Sequence, residues 1–139
     1  MIFHKFDDDC KLIDAIQVDL EQTLVFLDEY LDRADDKYTY AEEAMAATSF
    51  CISRSESDFL QINCDGKNSI SFQSDRLEFD MHFLLRLFCN NTTMFLEGNN
   101  DFSIKVITDY FNLPRQSFEK KYSHSYQRPT SFGGGTYVG

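Results

Sequence analysis

Residues 11–34, KLIDAIQVDLEQTLVFLDEYLDRA, set Ile13, Ile16, Leu20, Leu24, Leu27 and Leu31 at successive steps of 3, 4, 4, 3 and 4. Such spacing places six aliphatic side chains on one stripe of a 3.6-residue period, and it predicts an amphipathic helix from Lys11 to about Ala34. Asp7, Asp8 and Asp9 stand just before it. There Asp9 is placed to cap the helix, and all three carboxylates favour the positive end of its dipole.

The rest of the chain is organised around this element. A shorter helix is expected within YAEEAMAA, residues 40–47. SFCISRS (49–55), DFLQINC (58–64) and NSISFQS (68–74) read as strands, with Asp65-Gly66 supplying the positive-φ turn of a hairpin. Residues 74–91, SDRLEFDMHFLLRLFCNN, read as a helix with Asp75 and Glu78 in capping-box spacing, although 76–89 also fits a buried strand. TTMFLEG (92–98) reads as a strand, DFSIKVITDYFN (101–112) as a helix, and Pro114 ends that helix or opens the next, PRQSFEKKY. The order predicts an α+β fold: a mainly antiparallel sheet of about four strands, with a long N-terminal amphipathic helix and further helices packed on it. One globular domain over 1–128 and a glycine-rich tail over 129–139 are expected.

Composition narrows the function. The 139 residues carry a formal net charge of −10, which argues against binding nucleic acid through its phosphates. The charge is uneven: residues 1–65 hold 16 acids and 5 bases, and residues 66–139 hold 7 acids and 8 bases. Cys10, Cys51, Cys64 and Cys89 form no CxxC pair, which predicts reduced, mostly buried thiols and a cytoplasmic location. No apolar run reaches the length of a membrane span, and the amino terminus has no signal-peptide pattern.

No motif announces a catalytic, cofactor or metal site. The DDD at 7–9 lacks the alternate spacing, turn glycine and distal glutamate of a calcium loop. His4, His82 and His124 form no HxH or HExxH group, and Gly133-Gly134-Gly135 has neither phosphate-loop pattern.

What remains is DEYLDRADDKYTYAEEAM, residues 28–45, with seven carboxylates and three tyrosines around two cations. Asp28, Glu29 and Asp32 crowd the carboxyl end of the expected helix, where the dipole prefers cations. Asp14, Glu21 and Asp28 recur every seven residues and would share one azimuth of that helix. Acids that oppose their own helix point to a use outside it. The expected partner-binding residues are Asp28, Asp32, Asp35, Asp36, Tyr38, Tyr40, Glu42 and Glu43, with carboxylates steering a basic protein and tyrosines supplying contact area. Tyr30 is placed to join either this face or the core. The basic segment from Arg115 to Arg128 is available to pair with the acidic half of the same chain.

A short acidic chain with this tyrosine-studded stretch resembles the immunity proteins of bacterial toxin systems. The resemblance implies a small cytoplasmic inhibitor that masks a basic partner, often a nuclease, with no cofactor. Such proteins have many unrelated folds, so it implies neither a fold nor the role of any one residue. Two other readings stand beside it: a homodimeric adaptor, and a small-molecule enzyme with carboxylates and His82 or His124 gathered in a pocket.

Overall fold

The computed structural model describes residues 1–7, 11–35, 47–66, 69–75, 93–122 and 126–127. Six strands form one antiparallel sheet: β1 (Ile2–Phe6), β2 (Leu12–Gln17), β3 (Ser49–Ser53), β4 (Phe59–Gly66), β5 (Ser69–Asp75) and β6 (Thr93–Gly98). Their order is β2-β1-β3-β4-β5-β6, and the two residues of β7 (Tyr126–Gln127) pair on the outer side of β6. Three helices, α1 (Leu20–Asp35), α2 (Asn100–Asn112) and α3 (Arg115–Lys121), complete the described architecture.

The long N-terminal helix does not form over its first half, and the sheet has six strands where about four are expected. Residues 12–17 are a strand, paired with β1 in a hairpin. Asp7 belongs to that hairpin: its carboxylate accepts from the Lys11 N–H at 2.8 Å, and its own N–H donates to the Lys11 carbonyl at 2.9 Å. It caps no helix.

The reason the spacing misleads lies in the register. Phe3 pairs with Ile16 and Lys5 with Ile13, so Asp14 and Ala15 together oppose His4 alone. This is a β-bulge, with Asp14 in the left-handed region at φ 52°. A bulge turns the strand period of two into a local step of three. Ile13 and Ile16 thus share a face of the sheet while mimicking one turn of helix.

The true helix start is Asp19. Its carboxylate accepts from the Gln22 N–H at 2.8 Å, and the Gln22 side chain accepts from the Asp19 N–H at 3.0 Å. That reciprocal pair is a capping box, closed by Asp and Gln. Thr23 adds a hydroxyl donated to the Asp19 carbonyl.

Strand alternation sorts the sheet into two faces. Phe3, Phe50, Ile52, Leu60, Ile62, Cys64, Ile70, Phe72, Met94 and Leu96 point to the helix side and are almost wholly buried. Leu27, Tyr30 and Leu31 of α1 pack on them, and Phe3 lies 4.4 Å from Phe26 and 5.4 Å from Phe50 between ring centroids. Each such side chain contributes about 1.5–3 kcal/mol by leaving water. On α2, Ser103, Val106, Ile107 and Tyr110 face inward at steps of 3, 1 and 3, and the Asn99 side chain caps the helix through the Phe102 N–H at 3.0 Å. Gly98 precedes that cap because a Cβ there would lie 2.3 Å from the Phe102 ring.

Candidate functional site

A buried polar network fixes the helical layer to the sheet. Arg115, at the start of α3, donates to the Asp58 carboxylate at 2.9 Å, to Glu119 at 3.1 Å and to the Ser74 hydroxyl at 2.8 Å. The Tyr110 hydroxyl donates to the same Asp58 carboxylate at 2.9 Å. Arg54 lies over the Tyr110 ring, 4.6 Å from its centroid, and donates to the carbonyls of Tyr110 and Leu113. Burial, reinforced by the Asp58 charge, raises the Tyr110 hydroxyl well above its usual range, so it stays a donor. The basic C-terminal half does pair with the acidic half of its own chain, through Arg115 and Asp58. With every charge in this cluster engaged, it positions elements and offers no open chemistry.

The acidic face lies on α1. The helix carries Glu21, Asp28, Glu29, Asp32 and Asp35 against a single cation, Arg33. Glu21, Val25, Asp28 and Asp32 follow at steps of 4, 3 and 4, and all four are exposed. Tyr30 is core: it is 2% exposed, its ring sits 4.9 Å from Phe50, and Arg33 lies over its outer side at 4.6 Å. Desolvation raises its hydroxyl, and the Arg33 charge only partly opposes this. Asp14 does not extend the stripe; it sits in the β2 bulge and meets Lys5 at 3.6 Å.

Next to this helix the sheet ends in β2, whose six residues are all exposed. Leu12, Ile13 and Ile16 are 49%, 41% and 45% exposed, and Val25 on α1 is 55% exposed. Four aliphatic side chains therefore stand in water: Val25 on α1, Ile13 and Ile16 on the helix side of the edge strand, and Leu12, paired with Phe6, on the other face of the sheet. Single exposed aliphatics are ordinary, whereas a group of them on one face is a surface that a partner can cover.

Of the expected binding residues, Asp28 and Asp32 are together on one helix face. Asp35 ends α1, and Asp36, Tyr38, Tyr40, Glu42 and Glu43 lie outside the described residues, as do His82 and His124.

The opposite face of the sheet holds a cleft that sequence reasoning missed. Three cross-strand rows build it: Ile2–Ser53–Phe59, His4–Cys51–Gln61 and Phe6–Leu12. Arg54, Ser55 and Glu56 complete a lining that encloses about 560 Å³. His4 Nε2 and Ser53 Oγ share a hydrogen bond at 3.1 Å within it. Cys51 is buried there, and desolvation pushes its thiol up to about 12. The available sequence signal was alternation in IFHKF, which puts Ile2, His4 and Phe6 on one face of a strand.

The chain matches no family model, no curated protein and no solved structure. Among the described residues no helix is long and apolar enough to cross a membrane.

Proposed function

We propose that this chain is a protein-binding inhibitor of the immunity type, which masks a basic partner through the acidic face of α1 and the aliphatic end of the sheet beside it. The observation that carries the reading is the exposed stripe Glu21–Val25–Asp28–Asp32 on the same side of the sheet as exposed Ile13 and Ile16 of the edge strand. Carboxylates of one sign steer a cationic surface into contact and raise its association rate. Desolvated aliphatics then supply affinity that charge alone does not. Past the helix the sequence continues the same chemistry with Asp36, Tyr38, Tyr40, Glu42 and Glu43.

A nuclease domain is the basic partner best suited to such a surface. Its own substrate is a polyanion, and a row of carboxylates occupies the same cationic groove. A cytoplasmic location goes with this reading and is supported by the free thiols of Cys51 and Cys64.

The test is capture from the native cell with the tagged full chain, against an Asp28→Lys/Asp32→Lys variant. Both positions are exposed, and the variant is expected to keep the fold, which its circular dichroism spectrum checks. The expected result is a basic protein held by the wild type, released by raising salt, lost with the variant, and inhibited as a nuclease when the chain is added back. A captured protein that ignores both salt and the charge reversal overturns the assignment.

A further inference from the structure

We propose that the cleft on the face of the sheet opposite α1 binds a small neutral molecule: an aromatic ring or short aliphatic chain carrying one hydroxyl or carbonyl. Its volume of about 560 Å³ falls within the range of small-ligand cavities. Ile2, Phe6, Leu12 and Phe59, from β1, β2 and β4, wall it with hydrocarbon, and Cys51 and Ser53 of β3 stand between them in the register rows described above. An apolar body is therefore the first requirement of an occupant.

The polar groups define the rest. The His4–Ser53 pair is a hydrogen-bond donor and acceptor side by side at 3.1 Å, set among apolar side chains. A ligand hydroxyl or carbonyl that joins this pair is satisfied, and so is the pair. Charged head groups meet no such match. The guanidinium of Arg54 turns away from the cleft to the carbonyls of Tyr110 and Leu113, with Asp58 3.8 Å from its Nε. It is spent on the fold, and Glu56 at the mouth repels an anion. Among the described lining residues, the one carboxylate an ammonium finds is Glu56, which is exposed and screened by water. Burying either charge against the hydrocarbon wall carries a desolvation cost that no described lining residue offsets.

The inference stands apart from the function proposed for α1, because the cleft lies on the other face of the sheet. The experiment uses three molecules of one shape: benzyl alcohol, benzoate and benzylamine, titrated at pH 7 into the isotopically labelled full chain and followed by NMR. Benzyl alcohol is expected to give saturable shifts at His4, Cys51 and Gln61, including the His4 ring, with an affinity about tenfold or more above the two ions. Leu12→Asp, at a half-exposed wall position, and Ser53→Val, which removes the hydroxyl, are each expected to weaken it several-fold. Unchanged shifts at Phe3 and Ile62 in those variants confirm that the core is intact. No saturable shift from benzyl alcohol, equal or tighter binding of either ion, or binding indifferent to both substitutions overturns the proposal. Asp28→Lys/Asp32→Lys is expected to leave this titration unmoved, so its outcome and that of the α1 test are read separately.

Discussion

Arg115 meets Asp58 at 2.9 Å across fifty-seven residues of sequence, and both side chains are nearly closed to solvent. The contact ties the first turn of α3 to the turn between β3 and β4, so two distant parts of the chain share one buried charge pair. A pair of this kind is costly to break from one side. Arg115→Met leaves the Asp58 and Glu119 carboxylates buried without their guanidinium, and an unfolding free-energy loss of about 3–5 kcal/mol is expected from urea denaturation. A loss under 1 kcal/mol would show that water reaches the site and that the network does not secure α3.

Asp19 fixes where α1 begins. Asp19→Ala removes the acceptor for the Gln22 N–H and should cost about 1 kcal/mol in stability. The same change tests the strand assignment before it. Amide exchange at residues 20–23 should quicken while β2 amides that face β1 keep their protection. Were residues 12–17 helical, Asp19 would be a mid-helix residue and its replacement by Ala would stabilise.

Gly98 closes the β6–α2 junction against the Phe102 side chain. A Cβ at this position falls 2.3 Å from Cδ1 and 2.8 Å from Cβ of Phe102, so more than a ring tip must move. Gly98→Ala is expected to destabilise by about 1–3 kcal/mol. Gly98→Ala with Phe102→Ala removes the ring atoms from the clash and leaves the Cβ contact at 2.8 Å, so it should recover part of the steric loss, which a double-mutant cycle reads directly.

The thiols of Cys51 and Cys64 are both pushed up to about 12 by burial, Cys64 with a further push from Asp65. In the native protein at pH 8 both should resist iodoacetamide and react only after denaturation, as peptide mass spectrometry resolves. The linkage has a definite sign. An unfolded chain ionises such thiols from about pH 8.5, so above that pH the unfolded state binds fewer protons than the folded one. This contribution is whole below about pH 8.5, falls as pH rises, and is gone near pH 12. Cys51→Ala with Cys64→Ala should flatten the alkaline fall in stability.

The sequence was most readable where local rules and tertiary placement agree. β3, β4, β5 and β6 follow the alternation of their side chains, and α2 follows Ser103, Val106, Ile107 and Tyr110. It was least readable at residues 12–17, where a bulge at Asp14 puts strand residues at helical spacing. Periodicity has no term for an inserted residue. Asp19 and Gln22 held the correct boundary, but a run of aliphatics on both sides masked it. The acidic surface was legible as charge, and Asp28 and Asp32 lie together on one exposed face of α1. The cleft was not legible, since His4, Cys51, Ser53 and Gln61 meet only through strand register, and register is set by the whole sheet.

The Asp14 bulge also governs how this molecule behaves in a crowd. A sheet that ends in a straight run of unpaired amides and carbonyls invites a second sheet to continue it, then a third, until a fibril grows. Here the spacing along the terminal strand is broken midway, and a carboxylate projects at the break. An incoming strand would lose register after a few residues. The hydrocarbon of Ile13 and Ile16 can thus stay in contact with water without seeding polymerisation.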